Sequence, residues 1–250
     1  MKQSQNLISP GDCFRLGKHV LLCADSRDRF AISKMMAGKK IKAVVTDPPY
    51  GVALGQDSLK PLMKDKKIEN DHLQSDAEYE AFTRDWIEAI KPHLERKNAF
   101  YIFNCDKMIF AMRNGMIAAG MKFAQLLIWV KTHAVMARMD YAPQHELIAY
   151  GWYGTHEFLK SVDKSVIVHP RPNKSPYHPS TKPIGLIRQL VLNSTRIGDA
   201  VFDGFLGSGT TLLACEQTKR VCYAVECDPE YVQTTIDRWE KLTGLTAEKI

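Results

Sequence analysis

Four consecutive residues, Asp47-Pro48-Pro49-Tyr50, combine the groups that could hold a flat amine. They follow the apolar run Ala43-Val44-Val45-Thr46, which predicts a strand that delivers them to the carboxyl edge of a sheet. The two prolines remove two amide donors and stiffen the turn. Asp47 and the Pro48 carbonyl could accept both hydrogens of an exocyclic amino group, while Tyr50 stacks on its ring. The alternative is a rigid loop whose acid faces solvent.

A second motif lies far along the chain, at Asp203-Gly204-Phe205-Leu206-Gly207-Ser208-Gly209-Thr210-Thr211. It stands between a short apolar strand, Ala200-Val201-Phe202, and a predicted helix, which is the pattern of a nucleotide pocket. Glycines let the backbone approach a ligand, and the start of a helix presents unpaired amides. The next apolar strand, Val221-Cys222-Tyr223-Ala224-Val225, ends on Glu226. An acid about 20 residues after the glycine turn usually binds ribose hydroxyls, so we predict that role for Glu226.

These motifs and the segment His178-Pro179-Ser180-Thr181-Lys182-Pro183 resemble the bacterial DNA amino-methyltransferases that modify adenine N6 or cytosine N4. In the permuted β class of that family the catalytic tetrapeptide precedes the cofactor glycines, and a His-Pro-x-x-Lys-Pro stretch comes just before them. This chain has that order, and the matching segments run from Leu21 to Trp239. The family usually has proline where Gly204 stands and a small residue where Leu206 stands. We therefore expect a looser or differently packed cofactor turn.

The resemblance implies S-adenosylmethionine as the cofactor and assigns roles to individual residues. The implied catalytic residues are Asp47, Pro48, Pro49 and Tyr50. The implied cofactor-binding residues are Asp25, Lys182, Asp203, Phe205, Gly207, Ser208, Gly209, Thr210, Glu226 and Cys227. Two of them have a plainer interpretation. Asp25, with Ser26, could cap the helix that follows it, and Lys182 could be a surface cation.

The predicted reaction is direct transfer of a methyl group from S-adenosylmethionine to the N6 amino group of a flipped adenine. Adenine is preferred because a tetrapeptide that begins with Asp is typical of the adenine members of the family. Cytosine N4 is the alternative, since its amino group has the same geometry. Methylation of RNA or of a glutamine amide is disfavoured, because those families usually begin the tetrapeptide with Asn and place the glycines first. A DNA-binding relative without activity is disfavoured by the intact acids and glycines.

Composition is compatible with this prediction but does not itself indicate DNA. The chain has 250 residues, 45% of them hydrophobic, and we predict a single catalytic domain over residues 1–250. A net charge of +6 suits a polyanionic partner but is ordinary for a small protein. The six cysteines include no Cys-x-x-Cys pair and are predicted to be reduced thiols. No long apolar run is present, so we predict a cytoplasmic protein. The histidines are scattered, so we predict that it needs no metal. The resemblance implies that the protein is bacterial or phage-encoded.

Strands and helices alternate along the chain, which predicts an α/β fold. The resemblance implies a Rossmann-like, doubly wound, mostly parallel sheet of seven strands with helices on both faces. The sequence predicts a hairpin around Gly17-Lys18, a helix that begins at a Ser75-x-x-Glu78 capping box and a helix that begins at Asp228-Pro229. Further strands are predicted at 100–103, 125–130 and 147–150, and a further helix at 106–119.

Two stretches do not fit this scaffold and are predicted to contact DNA. They are a mobile basic loop at residues 51–75 and target-recognition elements at residues 132–177. The candidate DNA-binding side chains are Lys60, Lys64, Lys66, Lys67, Arg171, Asn173 and Lys174. Arg171 and Asn173 have the chemistry to read guanine and adenine edges, although phosphate contact or solvation is the simpler role for either. Double-stranded DNA is the predicted partner, and a homodimer and a companion restriction endonuclease complete the candidate partners.

Overall fold

A computed structural model describes residues 8–51, 74–134, 140–160, 163–170 and 181–250. Its strands are β1 (Cys13–Leu16), β2 (His19–Cys23), β3 (Ile41–Thr46), β4 (Leu94–Asn104), β5 (Lys122–Val130), β6 (His145–Trp152), β7 (Val166–Val168), β8 (Ala200–Asp203), β9 (Val221–Glu226) and β10 (Glu248–Lys249). Its helices are α1 (Arg29–Met36), α2 (Asp76–Ile90), α3 (Ile109–Ala118), α4 (Ile184–Ser194), α5 (Thr210–Thr218) and α6 (Pro229–Thr243).

The strands form one sheet in the order β10-β1-β2-β9-β8-β3-β4-β6-β5-β7. Its five central strands, from β2 to β4 in that order, are parallel to one another. β1 and β6 run antiparallel to both of their neighbours. The sheet is therefore mixed and ten-stranded, where the sequence predicted seven mostly parallel strands. Two of the strands that were not predicted are β7, with three residues, and β10, with two. Both are too short to show a hydrophobic period.

Helices cover both faces of the sheet, which confirms the predicted α/β, Rossmann-like architecture. Helices α1, α2 and α3 bury Ile32, Trp86 and Met112 on one face. Helices α4, α5 and α6 bury Leu190, Leu213 and Trp239 on the other. Because β3 lies between these two layers, all six of its residues are buried, which explains the apolar run from Ala43 to Val45.

The starts of the helices follow local capping chemistry. The capping box of Ser75 and Glu78 is present at α2, and Asp228 caps α6 as predicted. The alternative in which Asp25 or Ser26 caps α1 was wrong. Asp28 is the N-cap, because its Oδ1 accepts the amides of Phe30 and Ala31, both at 3.0 Å.

The region predicted for target recognition, residues 132–177, is partly scaffold. It contains β6, which pairs with both β4 and β5, and β7, which pairs with β5 at the edge of the sheet. Helix α4 follows it and was not predicted, although its buried stripe of Leu186, Leu190 and Val191 has helical spacing. Arg171, Asn173 and Lys174 lie outside the described residues.

The order of the strands creates a crevice between β3 and β8. From β3 the chain continues to β4 on one side, and from β8 it continues to β9 on the other. β3 and β8 are neighbours and parallel, with Ala43 opposite Val201 and Val44 opposite Phe202. In open α/β sheets such a reversal, at the carboxyl ends of the strands, is where ligands bind.

Gly209, the N-cap of α5, packs directly against α6. Its φ is +90°, and a Cβ at this position would lie 2.7 Å from Oγ1 and 2.8 Å from Cγ2 of Thr235. Gly198 has nearly the same φ, +87°, but a Cβ there would meet nothing within 4 Å. The two glycines therefore separate the cost of the backbone conformation from the cost of a clash.

We expect Gly209→Ala to lower the free energy of unfolding by about 1–3 kcal/mol more than Gly198→Ala does, because only the former adds overpacking to a left-handed backbone. Urea denaturation of both variants and the wild type measures the difference. Equal losses in the two variants would show that contact with Thr235 does not constrain the turn.

Candidate active site

The two predicted motifs meet at the carboxyl edge of the sheet. Asp47 follows the last residue of β3, Thr46, and Asp203 is the last residue of β8. The Thr46 hydroxyl donates to Oδ1 of Asp203 at 2.6 Å and accepts the Gly204 amide at 3.2 Å. Residues that are more than 150 positions apart in sequence thus share one crevice. The acid-proline corner, Asp47 to Tyr50, and the glycine turn therefore lie side by side.

Both carboxylate oxygens of Asp47 are engaged. The Tyr50 hydroxyl donates to Oδ1 at 2.8 Å, and the Lys182 ammonium donates to Oδ2 at 2.5 Å. The Lys182 side chain is only 7% exposed, so the interpretation as a surface cation was wrong. Lys182 is the lysine of the His-Pro-x-x-Lys-Pro stretch, and its ammonium also lies 5.1 Å from the centre of the Phe103 ring.

A second acid in this corner, Glu146 of β6, was missed. Its Oε2 lies 3.0 Å from the Lys182 ammonium, and its Oε1 lies 2.8 Å from the Lys131 ammonium. The Lys131 side chain is as buried as that of Lys182. One feature of the sequence could have indicated this site. Glu146 is an acid at the start of a mainly apolar strand, between His145 and Leu147.

Burial and charge act against each other in this cluster. Burial alone would lower the pKa of Lys182, but the carboxylates of Asp47 and Glu146 raise it to about 12. Burial would raise the pKa of Glu146, but Lys182 and Lys131 lower it to about 2. Burial raises the pKa of Asp47, against the opposing charge of Lys182. Two carboxylates therefore face two ammonium groups in a poorly solvated corner.

Hydrogen bonds and packing hold the first residues of the glycine turn, Asp203 to Leu206, in place. Asp203 Oδ1 also accepts the Phe205 amide at 3.0 Å, and burial raises the pKa of Asp203 to about 6. The Phe205 ring packs 5.7 Å from the Phe82 ring and 5.8 Å from the Trp86 ring. Leu206 is buried in the core. The departures at Gly204 and Leu206 therefore accompany a turn that is packed and hydrogen-bonded rather than loose.

The part of the turn that starts α5 can receive a ligand. Within the described residues a Cβ at Gly207 would meet nothing within 4 Å, and the N-cap of α5, Gly209, has no side chain to cap the helix that begins at Thr210. Ser208 is already contacted, because its hydroxyl accepts from the Arg238 guanidinium at 3.0 Å. Backbone amides at an uncapped helix start favour an anionic group, which fits the carboxylate of a methionine moiety.

Glu226 closes the other side of the turn. Its Oε2 accepts the Gly207 amide at 2.6 Å, and its Oε1 accepts the Asp228 amide at 2.9 Å. The Cys227 thiol lies 3.7 Å from the same Oε1. The carboxylate that the sequence predicts to bind ribose hydroxyls thus also fixes the glycine turn and the start of α6.

Asp25 lies at the same edge, one strand further along. It follows β2, and the preceding amide, that of Ala24, donates to the Glu226 carbonyl at 3.1 Å. Its carboxylate accepts the Arg27 amide at 2.8 Å and pairs with the Arg27 guanidinium at 2.6 Å. This places Asp25 at the rim of the cofactor side of the crevice, where it remains a predicted ligand.

The predicted basic loop begins and ends beside the acid-proline corner. The Gln74 amide donates to the Gly51 carbonyl at 2.9 Å, so the ends of the 51–75 segment meet next to Tyr50. Lys60, Lys64, Lys66 and Lys67 lie outside the described residues. Among the residues that the structure describes, no three His, Cys, Asp or Glu side chains are grouped to hold a metal ion. No helix in the described ranges is long and apolar enough to cross a membrane.

Comparison with known proteins identifies relatives over most of the chain. Residues 41–237 match the model of the N6_N4_Mtase family, described as DNA methylase. The chain is 24% identical over 231 residues to the Type II methyltransferase M.HpaI of Haemophilus parainfluenzae, covering 82% of this chain and 70% of that one. It is also 24% identical over 234 residues to the Type II methyltransferase M2.DpnII of Streptococcus pneumoniae, covering 85% and 87%.

Solved structures share the fold. The complex of M1.HpyAVI with SAM superposes with a TM-score of 0.64 at 23% identity, covering 87% of this chain and 98% of that one. The cytosine-N4-specific PvuII DNA methyltransferase superposes with a TM-score of 0.69 at 18% identity, covering 91% of each chain. At these identities the likeness concerns the architecture alone.

Glu226 makes stability depend on pH. Burial raises the pKa of Glu226 to about 7, above its ordinary value of 4.5, so the folded protein holds a proton there more tightly than the unfolded chain. The stability from this proton is complete below pH 4.5 and is lost as the pH rises through 7. Between about pH 5 and about pH 7.5, we expect wild type to lose about 2 kcal/mol more unfolding free energy than Glu226→Gln. Denaturant titrations across this range measure the two slopes, and equal slopes would contradict the prediction.

Proposed function

The chain belongs to the N6_N4_Mtase family of DNA methylases, and from this premise we propose that it methylates the N6 amino group of adenine in double-stranded DNA. The family comprises amino-methyltransferases of adenine and cytosine. The choice of adenine rests on the tetrapeptide, which begins with Asp47 rather than Ser. The proposed methyl donor is S-adenosylmethionine, which the M1.HpyAVI structure contains as its complex partner.

One observation carries the proposal, namely the hydrogen bond from Thr46 to Asp203. It joins the strand end that presents Asp47 to the strand end that presents the glycine turn, 2.6 Å from oxygen to oxygen. A methyl donor held by Gly207 and Glu226 would therefore share a crevice with an amine held by Asp47. Transfer between two bound groups depends mainly on such proximity and orientation.

The residues of the chain would orient the amine and remove its proton. S-adenosylmethionine supplies a methyl group that its sulfonium already activates. The lone pair of the target nitrogen is conjugated with the ring, and acceptance of its two hydrogens by Asp47 and the Pro48 carbonyl would turn that pair toward the methyl group. As the nitrogen–carbon bond forms and the sulfur–carbon bond breaks, the nitrogen becomes cationic. It then gives one proton to Asp47 or to water.

Extrusion of the base from the duplex costs a few kcal/mol. Stacking on Tyr50 and phosphate contacts from the proposed recognition segments at 51–75 and 132–177 would offset that cost. We further propose that the protein acts in the cytoplasm of a bacterium. The Type II names of its relatives support a companion restriction endonuclease, and the short recognition segments support a homodimer.

Expression in a bacterial host that lacks DNA methylation tests the proposal. Single-molecule sequencing of the host genome should show N6-methyladenine at one short sequence and nowhere else. N4-methylcytosine would replace the adenine assignment by its alternative. A genome without modified bases, in cells that contain the folded protein, would contradict the proposed function.

Asp47→Ala removes one of the two acceptors and leaves the glycine turn intact. We expect the rate of methyl transfer to fall by about 100-fold or more, because the amine can no longer be oriented. Calorimetric affinity for S-adenosylmethionine should stay within a few fold of wild type. Turnover close to that of wild type, in an assay with a tritiated methyl donor, would remove Asp47 from the mechanism.

Glu226→Ala should give the opposite pattern. Affinity for S-adenosylmethionine should fall first, since the variant removes the predicted ribose acceptor and the anchor of the Gly207 amide. At saturating cofactor, most of the turnover should return. Unchanged affinity in the same calorimetric experiment would place the ribose contact elsewhere.

A further inference from the structure

Both oxygens of Asp47 already accept a hydrogen bond. Tyr50 donates to Oδ1 and Lys182 to Oδ2, at 2.8 and 2.5 Å. An amino group that donates to this carboxylate therefore shares it with both donors. Each oxygen can accept two hydrogen bonds, but a carboxylate that has lost its ammonium partner is the stronger acceptor for the amine.

Both donors have the same second acceptor within reach. Oε2 of Glu146 lies 3.0 Å from the Lys182 ammonium and 3.4 Å from the Tyr50 hydroxyl oxygen. The other oxygen of Glu146 is held by Lys131 at 2.8 Å. Glu146 is thus anchored through one oxygen and presents the other to the two groups that cover Asp47.

The charge of Glu146 suits it to receive a cation. Lys131 and Lys182 keep the pKa of Glu146 low, so it is ionised at neutral pH. A buried ammonium that leaves one carboxylate needs another, because a charge without a partner is costly in such a place. Among the described residues, Glu146 is the second carboxylate that pairs with the Lys182 ammonium.

We propose that Glu146 is a positioning residue that receives Lys182 and the Tyr50 hydroxyl when the target amino group displaces them from Asp47. The inference rests on the proposed role of Asp47 as the acceptor of that amine. Lys182 and Lys131 both stay paired with Glu146 throughout the exchange, while Asp47 exchanges its ammonium partner for the hydrogens of the amine. Asp47, released from the ammonium, becomes a better acceptor for the hydrogens of the amine and for the proton that it loses.

Glu146→Gln keeps the shape of the side chain and removes its charge. Lys182 would then remain on Asp47, and we expect kcat/KM for unmethylated DNA to fall at least tenfold. Affinity for S-adenosylmethionine should change little. The unfolding midpoint should fall, because Lys131 loses its carboxylate partner, so rates are compared at a temperature where both proteins are folded. Glu146→Asp keeps the charge and should retain activity within about threefold of wild type, because the long Lys182 side chain can follow the shorter acid.

Glu157→Gln is the matched control. Glu157 also pairs with cations, at 3.2 Å from Lys42, 2.8 Å from Arg196 and 3.8 Å from Lys97, but away from the crevice. This variant should methylate DNA as wild type does. If Glu146→Gln stays within twofold of wild type, or if Glu146→Asp is as impaired as Glu146→Gln, the proposal is overturned.

The background Lys182→Met separates positioning from packing. Without the ammonium, Glu146 and Asp47 repel each other. Adding Glu146→Gln to Lys182→Met should therefore restore activity if Lys182→Met is inactive, and should otherwise raise the single-turnover rate or leave it unchanged. A double variant slower than Lys182→Met, or no activity recovered from an inactive Lys182→Met, would overturn the proposal. Wild type assayed on the same DNA shows separately whether the proposed function itself holds.

Discussion

The parallel pairing of β3 with β8 is the constraint on which the site depends. It sets two strand ends beside each other, and the Thr46 hydroxyl then joins them by donating to Asp203 and accepting the Gly204 amide. Two buried polar groups are satisfied by one another, which favours this register over alternatives. A ligand held by one motif is thereby held at a fixed distance from the other, although the two motifs belong to distant parts of the chain.

Charge is the second organising feature. At the acid-proline corner, Asp47 and Glu146 lie against Lys182 and Lys131, and all four side chains are no more than 25% exposed. Such a set adds little stability compared with apolar packing, since desolvation offsets most of the attraction. Under the proposed function its value lies in chemistry, because it would hold the acceptor Asp47 beside the donor Lys182 in a poorly solvated crevice.

The sequence predicted what short-range patterns encode. Some features depend only on neighbours along the chain. They are the acid-proline corner, the glycine turn, Glu226 at the end of β9 and the caps at Ser75 and Asp228. Other features depend on which strands become neighbours in the sheet, and the local hydrophobic period of the sequence does not encode that order. They are the role of Glu146, the inward orientation of Lys182 and the bond between Thr46 and Asp203. Asp25 shows the limit of a local rule, because the cap belongs to Asp28, three residues later.

A crystal structure of the protein bound to S-adenosylmethionine tests the shared crevice most directly. The account predicts ribose hydroxyls at the Glu226 carboxylate, the methionine moiety at Gly207 and the start of α5, and the methyl carbon turned toward Asp47 and the Pro48 carbonyl. A cofactor bound elsewhere, or bound in the turn with its methyl group directed away from Asp47, would contradict the account.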